Sequence, residues 1–168
     1  MGSRMILVLV ILSCLSSCDY YLINNYNERI GHIAASEALA GTDLDVCFEE
    51  VLFPSHYNRT TIQYIHGKDS LTTFFYKNYD NHGITNESGY ITVKFVINCE
   101  GKTGRYQVLE TGIDYSEKHF HEDLITELLE LTQEMDEWTP FYRGDSRFDS
   151  FHHLTFKIQN GELDEILP

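Results

Sequence analysis

Gly89-Tyr90-Ile91-Thr92-Val93-Lys94-Phe95-Val96-Ile97 decides the fold of this chain. Ile91, Val93, Phe95 and Ile97 share one face of an extended segment, and Tyr90, Thr92, Lys94 and Val96 take the other. The turn residues Cys99-Glu100-Gly101-Lys102-Thr103-Gly104 follow. A second strand is expected at Tyr106-Gln107-Val108-Leu109, with Tyr106 and Val108 on one face and Leu109 opposite. Gly112-Ile113-Asp114 then leads to Ser116, expected as an N-cap, with Glu117 favourable in the first helical turn. Phe120, Leu124, Leu128, Leu131 and Met135 keep helical spacing, widened by Ile125 and Leu129, so a helix over about 117–135 packs by one face on the sheet. Trp138-Thr139-Pro140 follows, then a last strand ending in Leu154-Thr155-Phe156-Lys157-Ile158. This order predicts an α+β fold: a small antiparallel sheet packed by one main helix, with N-terminal strand and helix additions.

Upstream, Val46 to Phe53 reads as a strand stopped at Pro54, and Thr60 to Ile65 reads as another. Asp69 or Ser70 caps a short helix burying Leu71, Phe74 and Phe75. Asn78 to Ser88 is polar and reads as a loop. Residues 19–27, rich in Tyr and Asn, read as a tether, and Asn27 to Ala40 as a modest helix ending at Gly41. The chain divides into a signal segment (1–17), a tether with a short helix (18–45) and a domain with an N-terminal extension (46–168).

With 168 residues, the chain fits one domain plus short extras. Eleven Tyr and ten Phe favour strands over a helical bundle. The net charge of −14 comes without a basic patch, which argues against a nucleic-acid partner. At the N-terminus, Arg4 precedes an apolar run from Met5 to Leu15, too short to span a bilayer but sized as a signal-peptide core. It ends in Leu15-Ser16-Ser17-Cys18, which resembles the bacterial lipobox and predicts lipidation of Cys18; the alternatives are an ordinary secretory signal with an incidental cysteine, or a membrane anchor. The rival, Cys14, would shorten the apolar run and put bulky Leu12 in the cleavage pocket. The expectation is therefore a protein held to a Gram-negative envelope membrane by its N-terminal lipid, the outer membrane preferred to the inner and the domain in the periplasm. Asp19 follows the cysteine; an aspartate there can retain a lipoprotein in the inner membrane of enteric bacteria, a rule that does not hold in all Gram-negative lineages, so the choice of membrane stays open. Cys47 and Cys99 sit in a disulfide-permissive setting; either they bridge, or they are two separate buried thiols.

No catalytic, metal or cofactor constellation is read from the chain, and an enzyme is not expected. His119 and His121 fall on different faces of a helix, and adjacent His152 and His153 on opposite faces of a strand, so neither pair has ligand spacing. Gly-x-Ser-x-Gly, phosphate-loop and dinucleotide patterns do not occur. Glu127, Glu130, Glu134, Asp136 and Glu137 read as the solvated face of the helix. Trp138, beside a helix end, reads as a core anchor.

Four motifs, in order, are similar to the C-terminal domain of TonB energy transducers. These are Gly67-Lys68-Asp69-Ser70-Leu71-Thr72-Thr73-Phe74; Gly89, Val93, Phe95 and Ile97 with the turn glycine Gly101; Trp138-Thr139-Pro140 with Gly144 after it; and the closing Thr155-Phe156-Lys157-Ile158. The resemblance covers about residues 66–158. It implies a protein-binding domain in which the strand after the helix recruits an extended segment, a TonB-dependent receptor being the family's partner. That role maps onto His152, His153, Leu154, Thr155, Phe156, Lys157 and Ile158 as an edge strand. The chain departs from the family in having three prolines in all, at 54, 140 and 168, and so no Pro-rich linker. A lipobox stands where the spanning helix would be, and Tyr79-Asp80 where the family has Tyr-Pro. The expectation is a TonB-like domain without the energy-coupling apparatus; the alternative is a structural lipoprotein that forms a homodimer by sheet-edge pairing.

Overall fold

A computed structural model describes residues 43–48, 53–54 and 64–167. Cys14, Cys18, the signal segment and the helix expected at 27–40 lie outside the described residues, as do most of the two upstream strands. Of those strands, Val46–Phe48 is irregular, Phe53–Pro54 forms the short strand β1, and Tyr64 makes an isolated antiparallel bridge to Trp138.

The fold is mixed α+β. Helix α1 spans Gly67–Asn78 and helix α2 Glu122–Gln133, twelve residues each. Strands β2 (Gly89–Ile97), β3 (Thr103–Thr111), β6 (Ser150–Gln159) and β7 (Glu162–Leu167) form antiparallel ladders, and β1 joins β6 in parallel. Strands β4 (Phe141–Arg143) and β5 (Ser146–Phe148) make a separate hairpin.

The expected alternation in β2 holds: Ile91, Val93, Phe95 and Ile97 are fully buried on the face that meets the helices. Across the ladder, Ile91 sits opposite Phe156, Val93 opposite Leu154 and Phe95 opposite His152. Leu71 and Phe75 of α1 and Leu124, Leu128 and Leu131 of α2 close this core, with Phe75 packed on Phe156 at 4.7 Å between ring centroids. Val96 and Phe151 are buried as well, so the opposite face is also covered at that end.

Helix α2 starts later than expected. Ser116 does not cap it; its N–H and hydroxyl both donate to Asp114 Oδ1, closing a turn after β3. The Phe120 N–H donates to Glu110 Oε2 at 2.5 Å, which holds residues 117–120 against the end of β3. The cap is His121, whose Nδ1 accepts from the Asp123 N–H. Helix α1 likewise begins before the expected caps, at Gly67 after His66, without a side-chain cap.

Within the segment His152–Ile158, expected as an edge, Thr155–Ile158 is not one, since it lies between β2 and β7. On one side β6 pairs with β2 from Ser150 to Ile158; on the other it meets β1 at Ser150–Phe151 and β7 from Thr155 to Gln159. The premise that a strand following a long helix lies outermost fails because the chain turns back once more. Asn160 and Gly161 both have positive φ, 53° and 80°, the pattern of a tight two-residue hairpin turn. A Cβ on Gly161 would lie 1.6 Å from the Ile84 carbonyl oxygen, so only glycine fits. Three bonds pin the turn: Gly161 N–H to Glu87 O, Asn160 N–H to Ser88 Oγ, and the Tyr79 hydroxyl to Gly161 O.

Candidate functional site

Among the described residues two places combine polar groups with at least partial exposure: the stretch Gln107–Leu109 of β3, and a cleft where that strand begins. Strand β3 pairs with β2 from Thr103 to Thr111. At its far end Thr111 also bridges to Glu117, and near its start Gly104, Arg105 and Tyr106 are buried. The ladder is interrupted between Lys94 and Val96, where Arg105 takes a positive φ of 53° and β3 carries an extra residue. Beyond this bulge, Tyr106 is buried in the core, while Gln107, Val108 and Leu109 are half-buried and uncharged.

The cleft, about 890 Å³, is walled by Asp43–Cys47, by the turn around Asn98, Glu100 and Lys102, by Thr103 and Tyr106 of β3, and by Gln133 and Asp136 past the end of α2. The Asn98 side chain organises one wall. Its Oδ1 accepts from the Glu100 and Lys102 N–H groups, and its Nδ2 donates to the Asp45 carbonyl. Lys102 and Glu100 pair at 2.8 Å; that bond holds the Glu100 carboxyl below its usual range and the Lys102 ammonium above its own. Burial raises the Tyr106 phenol, whose hydroxyl donates to Thr103 Oγ1.

Cys47 and Cys99 form a disulfide with Cα atoms 6.1 Å apart, which fastens the 43–48 segment to this turn. Asp149, fully buried, stands beside the sulfurs. Two thiols and a carboxylate could together ligate a metal, but with the sulfurs bonded to each other no thiolate is on offer. The carboxylate is instead engaged by main chain, accepting from Phe48 N–H at 2.6 Å and Cys99 N–H at 2.8 Å.

The remaining residues singled out in the sequence are scattered. His119 lies 3.6 Å from Glu110, and His121 serves as the cap already described. Glu127 faces His82 at 3.1 Å, Glu137 pairs with His66, and Asp136 lines the cleft. Trp138 is buried and donates from Nε1 to the Met135 carbonyl. His152 packs against Trp138 and Phe95 at 5.0 and 5.5 Å between centroids, with its Nδ1 enclosed and lacking a hydrogen-bond partner. Burial, then the neighbouring His153, lowers its pKa to about 3.

Between that value and the 6.5 of an unfolded histidine, the unfolded chain binds a proton that the native state refuses. Stability is therefore full above pH 6.5 and falls as the pH drops toward 3. Melting at pH 7.5 and pH 5 should show a loss of up to about 2 kcal/mol from this residue, an upper bound because part of the ring reaches solvent. His152→Phe should flatten the profile across that window. An equally steep profile in the variant would assign the acid sensitivity elsewhere.

No family model, curated protein or solved structure matches the chain.

Proposed function

We propose that this chain is a lipid-anchored envelope protein whose α+β domain binds another protein by strand addition, at the edge of β3. The observation that supports this reading is the run Gln107–Leu109, half-buried and uncharged, which pairs with β2 on one side and meets no second strand among the described residues. An extended partner can complete such a row of main-chain groups. The other outer strand, β7, is guarded. It carries Glu162, Asp164 and Glu165, and its Asp164 carbonyl already accepts from the Tyr76 hydroxyl. Charged residues and occupied carbonyls are common devices against edge pairing. In the TonB-like reading the recruiting strand was β6; with β7 paired along Thr155–Gln159, the role passes to β3.

A pair of prolines tests the assignment. Val108→Pro removes a donor from an edge strand and should leave the fold standing while abolishing capture of membrane partners. Lys157→Pro lies between Tyr90 and Glu165 and should unfold the domain, at a cost of about 3 kcal/mol or more. A Val108→Pro variant that folds and captures the same partners would remove β3 from consideration. The same edge could instead pair with a second copy of the chain, which light scattering would report as a dimer that Val108→Pro dissolves.

Among the described residues no helix is long and apolar enough to cross a membrane. The proposed anchor is the lipid on Cys18. Cys18→Ala should lose acyl label and membrane association; label that persists in a Cys14→Ala/Cys18→Ala chain would refute lipid anchoring at this signal.

A further inference from the structure

We infer that Cys47, Cys99 and Asp149 become a binding site for a soft divalent cation of the zinc type when their disulfide is reduced, so that bridge and metal exclude each other. One ligand atom from each of the three residues lies within 4.8 Å of the other two. Two thiolates and a carboxylate suit zinc, and three protein ligands leave its fourth position open. A tetrahedral zinc holds two sulfurs about 3.8 Å apart, inside the span that already encloses the three atoms. Thiol–disulfide exchange with a dithiol donor opens the site. Two electrons pass to the Cys47–Cys99 bond, two thiols form, and the donor leaves as its own disulfide. The cation then displaces both thiol protons to solvent as the sulfurs ligate it.

The three donors are brought together by more than the bridge. Asp149 Oδ1 accepts from the N–H of Cys99 itself, and its Oδ2 from the N–H of Phe48, the residue after Cys47. The carboxylate thus holds the main chain at both cysteines. The Asn98 side chain ties the same two segments through the Asp45 carbonyl. With the bridge open, these bonds keep the sulfurs facing each other and Asp149. A carboxylate offers about four acceptor positions, and the two N–H groups occupy one on each oxygen. Positions remain for a metal, and the N–H groups become the outer partners that fix the ligand's orientation. Access runs from the Cys47 side. Asp149 is fully buried and Cys99 half-buried, but Cys47 is exposed and lines the cleft beside Asp43, Asp45 and Glu100. Those carboxylates concentrate cations at the entrance.

The test uses the full chain with Cys14→Ala/Cys18→Ala, which leaves Cys47 and Cys99 as its cysteines. It is compared in the oxidised form and after anaerobic reduction with a phosphine, with cobalt(II) as the probe. The reduced chain should bind one cobalt and show a thiolate-to-metal charge-transfer band; the oxidised chain should show none. Zinc should displace the cobalt, raise the melting temperature of the reduced chain alone, and slow its return to the disulfide in air. Asp149→Asn should weaken cobalt binding by about a hundredfold or more, at least the upper range for losing an outer partner. If that variant does not fold, X-ray absorption of the zinc-loaded reduced parent takes its place. Two sulfurs at about 2.3 Å with oxygen at about 2.0–2.2 Å support the site, and any other first shell overturns it. A reduced chain without the charge-transfer band would overturn the inference, as would a folded Asp149→Asn chain that binds cobalt like its parent.

Discussion

Replacing Trp138 with alanine is expected to destabilise the domain by about 3–5 kcal/mol, the range for a large buried aromatic. The indole packs where three parts of the chain converge. It packs on Phe95 of β2 at 5.1 Å and His152 of β6 at 5.0 Å, and reaches Tyr64 at 5.6 Å. Its backbone bridges to Tyr64, and its carbonyl lies against Gly101, where a Cβ would come within 2.5 Å. Truncation would leave a cavity at the junction of α2, the β2–β3 turn and β6, and the Met135 carbonyl would lose its donor. Chemical denaturation of the variant measures the loss. A midpoint equal to wild type would mean the indole contributes nothing to the core.

Removing the disulfide should cost nearly as much. Cys47 and Cys99 are 52 residues apart, and closing a loop of that length restricts the unfolded chain by about 4 kcal/mol in the chain-entropy account. The loss in Cys47→Ser/Cys99→Ser should appear in denaturation and vanish when wild type and variant are compared under reducing conditions. The wall of the cleft should loosen with it, because the Asn98–Asp45 bond and the Asp149–Phe48 bond remain as the described polar ties of the 43–48 segment to the core. Hydrogen exchange at Asp45–Phe48 should therefore rise more than at β2. Equal stability with and without reductant would show that the bridge constrains little.

The parts of the fold legible in the sequence are those where one physical signal dominates. Alternation in β2 was legible because Ile91, Val93, Phe95 and Ile97 put one unbroken apolar face toward the core, although Lys94 and Val96 are buried on the other. Leu124, Leu128 and Leu131 mark α2 because their spacing has one helical reading. The start of α2 was misplaced because Ser116 can close a turn as well as cap a helix, and only the tertiary bond from Phe120 N–H to Glu110 decides between them. The edge assignment failed at Asn160-Gly161. That dipeptide, between alternating runs, is a strong hairpin signal, and it announces β7. Gly144-Asp145 likewise closes the β4–β5 hairpin between two strands too short to show periodicity. The cleft was not legible, since it joins Asp43 and Asp45 to Glu100 and Asp136 only through the fold.

The position of β6 also bears on the order in which the molecule can be made. Synthesis delivers the β2–β3 hairpin first, ending at Thr111, and the strand that must lie beside β2 arrives only later, at Ser150–Gln159. Until then the flank of β2, with Ile91, Val93 and Phe95 in its ladder, has no neighbour on that side. A chain emerging in sequence thus passes through a stage in which its most apolar strand is half-paired and adhesive. The sheet closes only when its middle is supplied from the far end, which favours folding after the whole domain has emerged over folding piece by piece.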